Sequence, residues 1–140
     1  MDYQRHYAKL FEALEREYGE FDPLTISAII GFSAGGPVSL RATNVARLFV
    51  TCELSCYEEQ RPSAEGLKFE FFSKDDFSGE QARALFTALG ALSMDAQLGQ
   101  NHTVDASLIE NAGVKTVRLH LYSQTTIDGT AYGIYRVRPA

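Results

Sequence analysis

The chain has 140 residues, 45% of them hydrophobic and 22% charged, with a formal net charge of −5 from 13 Lys and Arg against 18 Asp and Glu. This size and composition fit one globular domain, 1–140, and exclude disordered and fibrous classes. The acidic balance disfavours nucleic acid and anionic membrane and favours a partner with a basic surface; no apolar run reaches the ~18 residues of a bilayer span, and the charged opening "MDYQRHYAKLFEALEREYGEF" is unlike a secretory leader, so the expectation is a cytoplasmic protein.

Residues 2–19 predict a helix, because Tyr3, Tyr7, Leu10, Phe11, Leu14 and Tyr18 recur at three- and four-residue steps, with Gly19 placed to end it. After Asp22-Pro23, "LTISAIIGF" alternates Ile26, Ala28, Ile30 and Phe32 with Thr25, Ser27, Ile29 and Gly31, the period of a half-buried strand. "PVSLRAT" repeats that period with Val38, Leu40 and Ala42 on one face. "ARLFVTCELSCY" then points Leu48, Val50, Cys52 and Leu54 inward, and "LKFEFF" does the same with Leu67, Phe69 and Phe71. Short connections predict antiparallel neighbours for these four strands. Were Cys52 and Cys56 on one strand, they would lie about 13 Å apart, beyond the ~7 Å reach of a disulfide. Two reduced thiols buried as small apolar groups are therefore expected.

A second helix is predicted over 78–97, opened by Ser78 with Gln81 in a capping-box pattern and carrying Ala82, Leu85, Phe86, Leu89 and Leu92 as its apolar stripe. A loop follows, with a short strand around Thr103–Ala106. "VKTVRLHLYS" and "AYGIYRVR" predict two last strands joined near Asp128-Gly129. A three-residue loop Ile127–Gly129 sets Leu119 and Leu121 opposite Val137 and Tyr135, whereas a two-residue turn sets Leu121 opposite Arg136. The hydrophobic pattern selects the first register and gives Gly129 the left-handed position. The expected fold class is α+β: a mostly antiparallel sheet of about six strands with two helices packed on one face.

Gly31-Phe32-Ser33-Ala34-Gly35 spells the G-x-S-x-G pattern of a serine hydrolase elbow, which requires a helix directly after the serine. Here Pro37 and an alternating strand follow, so Gly35-Gly36-Pro37 reads as a hairpin connection. His102 or His120 as base and Asp105 as orienter would complete the hydrolase alternative. No His or Cys pair has metal-ligand spacing, so neither metal nor cofactor is expected. Asp75 and Asp76 precede the second helix and suit its N-terminal dipole. In the chosen register Arg118, His120 and Tyr122 face Ile134, Arg136 and Arg138, and three arginines beside a histidine could hold a carboxylate-bearing partner. The alternative is a solvated face whose arginines pair with this chain's own carboxylates.

Several stretches in order resemble the suppressor-of-fused-like domain family: "LFEALEREYGEFDP" its opening helix and acidic-Pro exit, "GGPVSL" its Gly-Gly-Pro hairpin, "LFVTCELSCYEE" and "GLKFEFF" two of its strands, and "LGQNHTVDASLI" the loop after its helix. Cys52-Glu53 departs from the Tyr-Gly type of pair expected there. The resemblance implies an α+β binding domain without enzyme activity, similar to bacterial immunity or accessory proteins, and points to His102 and Asp105 as organisers of their loop. The functional expectation is a non-catalytic protein-binding module whose exposed sheet, with Phe49, Tyr57 and Tyr122, holds a basic, mixed-charge or toxin-like protein. The alternatives are a small hydrolase built on Ser33 and an acidic chaperone for a secreted effector.

Overall fold

The computed structural model describes residues 2–22, 25–26, 30–43 and 47–140. The opening helix is broken in two, α1 (Tyr3–Leu10) and α2 (Glu12–Tyr18), at Phe11, whose φ of −90° and ψ of 1° interrupt the spiral. Asp2 caps α1 by accepting from the Arg5 N–H at 3.1 Å, and Gly19, at φ 99°, ends α2. Three short strands follow: β1 (Leu40–Ala42), β2 (Leu48–Thr51) and β3 (Lys68–Lys74). Then come α3 (Gly79–Asp95), β4 (Thr103–Asp105), β5 (Thr116–Ile127) and β6 (Thr130–Pro139). Ser78 and Gln81 form the expected capping box on α3.

The fold is α+β, with one six-stranded sheet in the order β1-β2-β3-β6-β5-β4. Every neighbouring pair is antiparallel except β3 and β6, which run parallel because α3, β4 and β5 intervene between them in the chain.

The two helical segments do not share a face. Alternate residues of β3 point opposite ways. Phe69 and Phe71 meet the α3 side chains Ala82, Leu85, Phe86 and Leu89, together with Leu119, Tyr135 and Val137. Phe72 points the other way, into a second cluster with Tyr7, Leu10, Phe11 and Leu14 of α1–α2, Leu48, Val50 and Ile134. The expected packing of both helices on one face is thereby corrected. β2 and β3 lie in the middle of the sheet and are buried from both sides, so their apolar residues are not confined to one parity.

The β5–β6 hairpin has the register selected from the hydrophobic pattern, Leu119 opposite Val137 and Leu121 opposite Tyr135. Its loop differs. Ile127 pairs with Thr130, so the turn has only two residues, Asp128 at φ 50° and Gly129 at φ 82°, the left-handed pair that matches strand twist. A bulge between Leu121 and Ser123 absorbs the extra residue and restores the pattern.

Of the strand expected after Pro23, Leu24, Ser27, Ala28 and Ile29 lie outside the described residues. Ile26 makes a single antiparallel bridge to Leu40 and is 43% exposed, and Ile30 is 60% exposed, so neither points into the core as expected. Cys56 belongs to no strand: Leu54–Cys56 form a 3-10 turn, which removes the premise of a 13 Å separation. Both thiols are half-buried rather than buried, and neither is in a disulfide among the described residues.

Candidate functional site

Pairing of β5 with β6 sets Arg118 directly opposite Arg138 and His120 directly opposite Arg136. All four lie on the face turned away from Leu119 and Val137, the same face that α1–α2 covers further along. The cover stops at Tyr122. That phenol donates to the Ala13 carbonyl at 3.2 Å and to the Glu17 carboxylate, and its ring meets Phe72 edge-on with centroids 5.0 Å apart. Tyr122 therefore closes the helix interface and is not free to meet a partner.

Arg136 is likewise occupied. Its guanidinium lies 6.0 Å over the Phe72 ring, donates to the Lys74 carbonyl at 3.3 Å and stands 3.9 Å from the Asp76 carboxylate. Arg118 and Arg138 differ from it: both are exposed, and among the described residues neither has an ion pair. With half-buried His120 and with Asp76 they line an open hollow of about 440 Å³. The five residues singled out from the sequence thus share one strand pair, and three of them, Arg118, His120 and Arg138, face solvent together.

The aromatic residues expected beside them are elsewhere. Phe49 packs with the α3 cluster, 3.5 Å from where a Cβ on Gly79 would stand, and Tyr57 stacks near Phe32 and donates to Glu53. Ser33 sits in an exposed 3-10 turn, Phe32–Ala34, followed by Gly35 at φ 89°. The chain then doubles back, with Ile26 and Leu40 exchanging both backbone hydrogen bonds at 2.8 and 3.1 Å. Gly36 is required by close approach: a Cβ there would stand 1.8 Å from the Ile30 carbonyl oxygen. The side chain beside Ser33 is Tyr57, and no imidazole hydrogen-bonds to this serine among the described residues. Hydrogen bonds from the Ser107 hydroxyl and from its N–H, the latter at 2.9 Å, hold the Asp105 carboxyl below the usual range, while the His102 carbonyl accepts from Leu119 N–H at 3.0 Å. Asp105 thus braces a turn within the loop, and His102 ties the loop to β5.

Sequence reasoning missed the most elaborate polar cluster. Glu70 is fully buried in β3, and its carboxylate accepts from Thr51 Oγ1 at 2.6 Å, Leu54 N–H at 3.1 Å, Ser55 N–H at 2.7 Å and Tyr7 Oη at 3.1 Å. Burial pushes its pKa up to about 7, against the opposing pull of these donors. Beside it, buried His6 places Nε2 3.1 Å from Ser55 Oγ, and desolvation lowers its pKa. The available signal was a lone Glu inside the apolar run "FEFF". An adjacent cleft of about 560 Å³ is lined by Tyr3, Tyr7, Arg41, Cys52, Glu53 and Cys56. Burial pushes the Cys52 thiol up to about 12 and raises Cys56 as well, so neither is an activated nucleophile.

Among the described residues no group of three or more His, Cys, Asp or Glu side chains is placed to hold a metal ion, and no helix is long and apolar enough to cross a membrane. Fold and site together define an α+β protein whose sheet is covered by a helix on one face and only partly covered on the other, with two arginines on the open part that form no ion pair among the described residues. Comparison with protein-family models, curated proteins and solved structures returned no match to this chain. The likeness to suppressor-of-fused-like domains rests on the quoted stretches alone.

Proposed function

We propose that this chain is a non-catalytic protein-binding module that takes an acidic segment of a partner onto the open half of its sheet, through Arg118 and Arg138 with His120 beside them. The observation that carries this reading is the unpaired, face-to-face placement of the two arginines. Like charges directly opposed on neighbouring strands destabilise a sheet, by roughly 0.2–1 kcal/mol. A carboxylate bridging both guanidinium groups reverses the sign of that interaction and adds charge-assisted hydrogen bonds.

The net charge of −5 favours a basic or mixed-charge partner at long range. Within a Debye length of about 8 Å the local patch decides, so the segment that docks is acidic. Such a module suits an immunity or accessory protein acting in the cytoplasm on a toxin-like partner, the role that the suppressor-of-fused-like resemblance implies. The turn geometry at Ser33 supports the non-catalytic reading.

The test is fluorescence anisotropy with a labelled glutamate-rich peptide, against a lysine-rich control. Expected are saturable, salt-sensitive binding of the acidic peptide and a loss of at least about tenfold in affinity in the Arg118→Ala/Arg138→Ala variant, as for a bidentate carboxylate contact. Equal affinity of the variant, or preference for the basic peptide, overturns the reading.

A further inference from the structure

β4 is an outer strand of the sheet, and one row of its backbone groups is unused. β5 takes alternate residues of it: Leu119 N–H donates to the His102 carbonyl at 3.0 Å, and Ala106 N–H donates to the Lys115 carbonyl at 2.7 Å. That parity gives the ladder bonds between them to Val104 and Val117, and it turns the N–H and C=O groups of Thr103 and Asp105 away from β5, toward the outer edge. Both residues are exposed. An open row of this kind is a template for another strand, and the only charge on it is Asp105.

Set against a second copy across a two-fold axis at Val104, the edge is self-complementary. Antiparallel pairing then opposes Thr103 to Asp105 of the second copy and uses every outward N–H and C=O of these residues. The side chains agree with this register. Thr103 lies directly opposite Arg118, so both project from the open face of the sheet. Asp105 of the second copy comes to stand one strand beyond Thr103, about 10 Å from Arg118 between Cα atoms, a span that an arginine and a carboxylate close over the small threonine. Among the described residues neither Arg118 nor Asp105 forms an ion pair. On the other face Val104, half-buried against the α3 cluster, meets Val104 of the second copy and extends that core.

From this complementarity we infer that the chain self-associates, two copies joining their β4 edges antiparallel into one continuous sheet, with Arg118 of each copy paired to Asp105 of the other. The edge has 3 residues and buries little area, so the dimer is a weak one. The inference goes beyond the docking reading and does not rest on it, since pairing needs Asp105 and the β4 backbone and docking needs neither.

The experiment is sedimentation equilibrium of the whole chain up to about 1 mM, with the Thr103 and Asp105 amide resonances followed by NMR over the same range. A reversible monomer–dimer equilibrium is expected, with both amides shifting as the dimer forms. Asp105→Arg and Arg118→Glu are each expected to weaken the dimer at least about tenfold, because each sets like charges across the joint twice. The double variant Asp105→Arg/Arg118→Glu is expected to return to within about threefold of the wild type. At the low concentrations used for anisotropy, Asp105→Arg is expected to keep its affinity for the glutamate-rich peptide, so a failure of pairing and a failure of docking are told apart. A monomer throughout the range, a dimer that shifts neither amide, or no recovery in the double variant overturns the inference.

Discussion

The Tyr7 hydroxyl donates to the Glu70 carboxylate across 3.1 Å and so ties the first helix to the middle strand of the sheet. Glu70 is also where pH enters the stability of the fold. Burial raises the pKa of Glu70 from 4.5 to about 7, so the folded state holds its proton more tightly than the unfolded chain. The contribution is present in full below pH 4.5 and is lost as pH rises through about 7, some ~3 kcal/mol in all. His6 acts in the opposite direction: its lowered pKa stabilises the fold above pH 6.5, and this is lost as pH falls toward the lowered value. Urea unfolding of the wild type and of Glu70→Gln between pH 4.5 and 8 separates the two. The variant is expected to lose the decline in stability with rising pH; parallel curves contradict this assignment.

Arg118 and Arg138 face each other, and among the described residues neither forms an ion pair, so stability and binding are opposed at this site. Arg138→Glu creates a cross-strand ion pair with Arg118. It is expected to raise stability by about 0.5 kcal/mol while removing affinity for an acidic peptide. Thermal unfolding beside anisotropy reads both; a less stable variant with unchanged affinity counts against the account.

The turn at Asp128-Gly129 isolates a purely conformational cost. Gly129 sits at φ 82°, and nothing stands within 4 Å of where its Cβ would be. Gly129→Ala is therefore expected to cost about 1–2 kcal/mol, from crowding of the new Cβ against its own local backbone and not against packed neighbours. The exposed Arg5–Asp128 ion pair, 3.2 Å long, contributes little, so Asp128→Asn is expected to fall within about 0.5 kcal/mol of the wild type. Chemical denaturation of the two variants tests this ordering.

The thiols provide a probe of local burial. With Cys52 pushed up to about 12 and Cys56 raised by desolvation, both are expected to alkylate far more slowly at pH 8 than a free thiol and to recover normal reactivity in urea. Rapid native labelling of either contradicts the packing at the Leu54–Cys56 turn.

Much of the β5–β6 ladder was legible because Leu119, Leu121, Tyr135 and Val137 share one period and only one register joins them. The bulge near Tyr122 was not, since the side-chain pattern is the same whether an extra residue sits in the loop or in the strand. The arginine cluster followed from the same period. Its division into occupied Arg136 and free Arg118 and Arg138 did not, because Asp76, Phe72 and Lys74 reach Arg136 only through the parallel β3–β6 pairing, a contact between distant parts of the chain. The two-sided burial of β3 was written in "FEFF", where Phe71 and Phe72 are adjacent and must point opposite ways. Glu70 was hidden by the same run, since one charged residue at an alternating position reads as surface. The cysteines were misplaced because the 3-10 turn at Leu54–Cys56 carries neither Gly nor Pro to announce it.

The central claim is that the open half of the sheet is a docking surface for carboxylates, and amide chemical-shift mapping during titration with a glutamate-rich peptide tests it most directly. The account predicts shifts concentrated on residues 118–120 and 136–138, diminished by salt and absent in Arg118→Ala/Arg138→Ala. Shifts centred on another face, or none at saturating peptide, would contradict it.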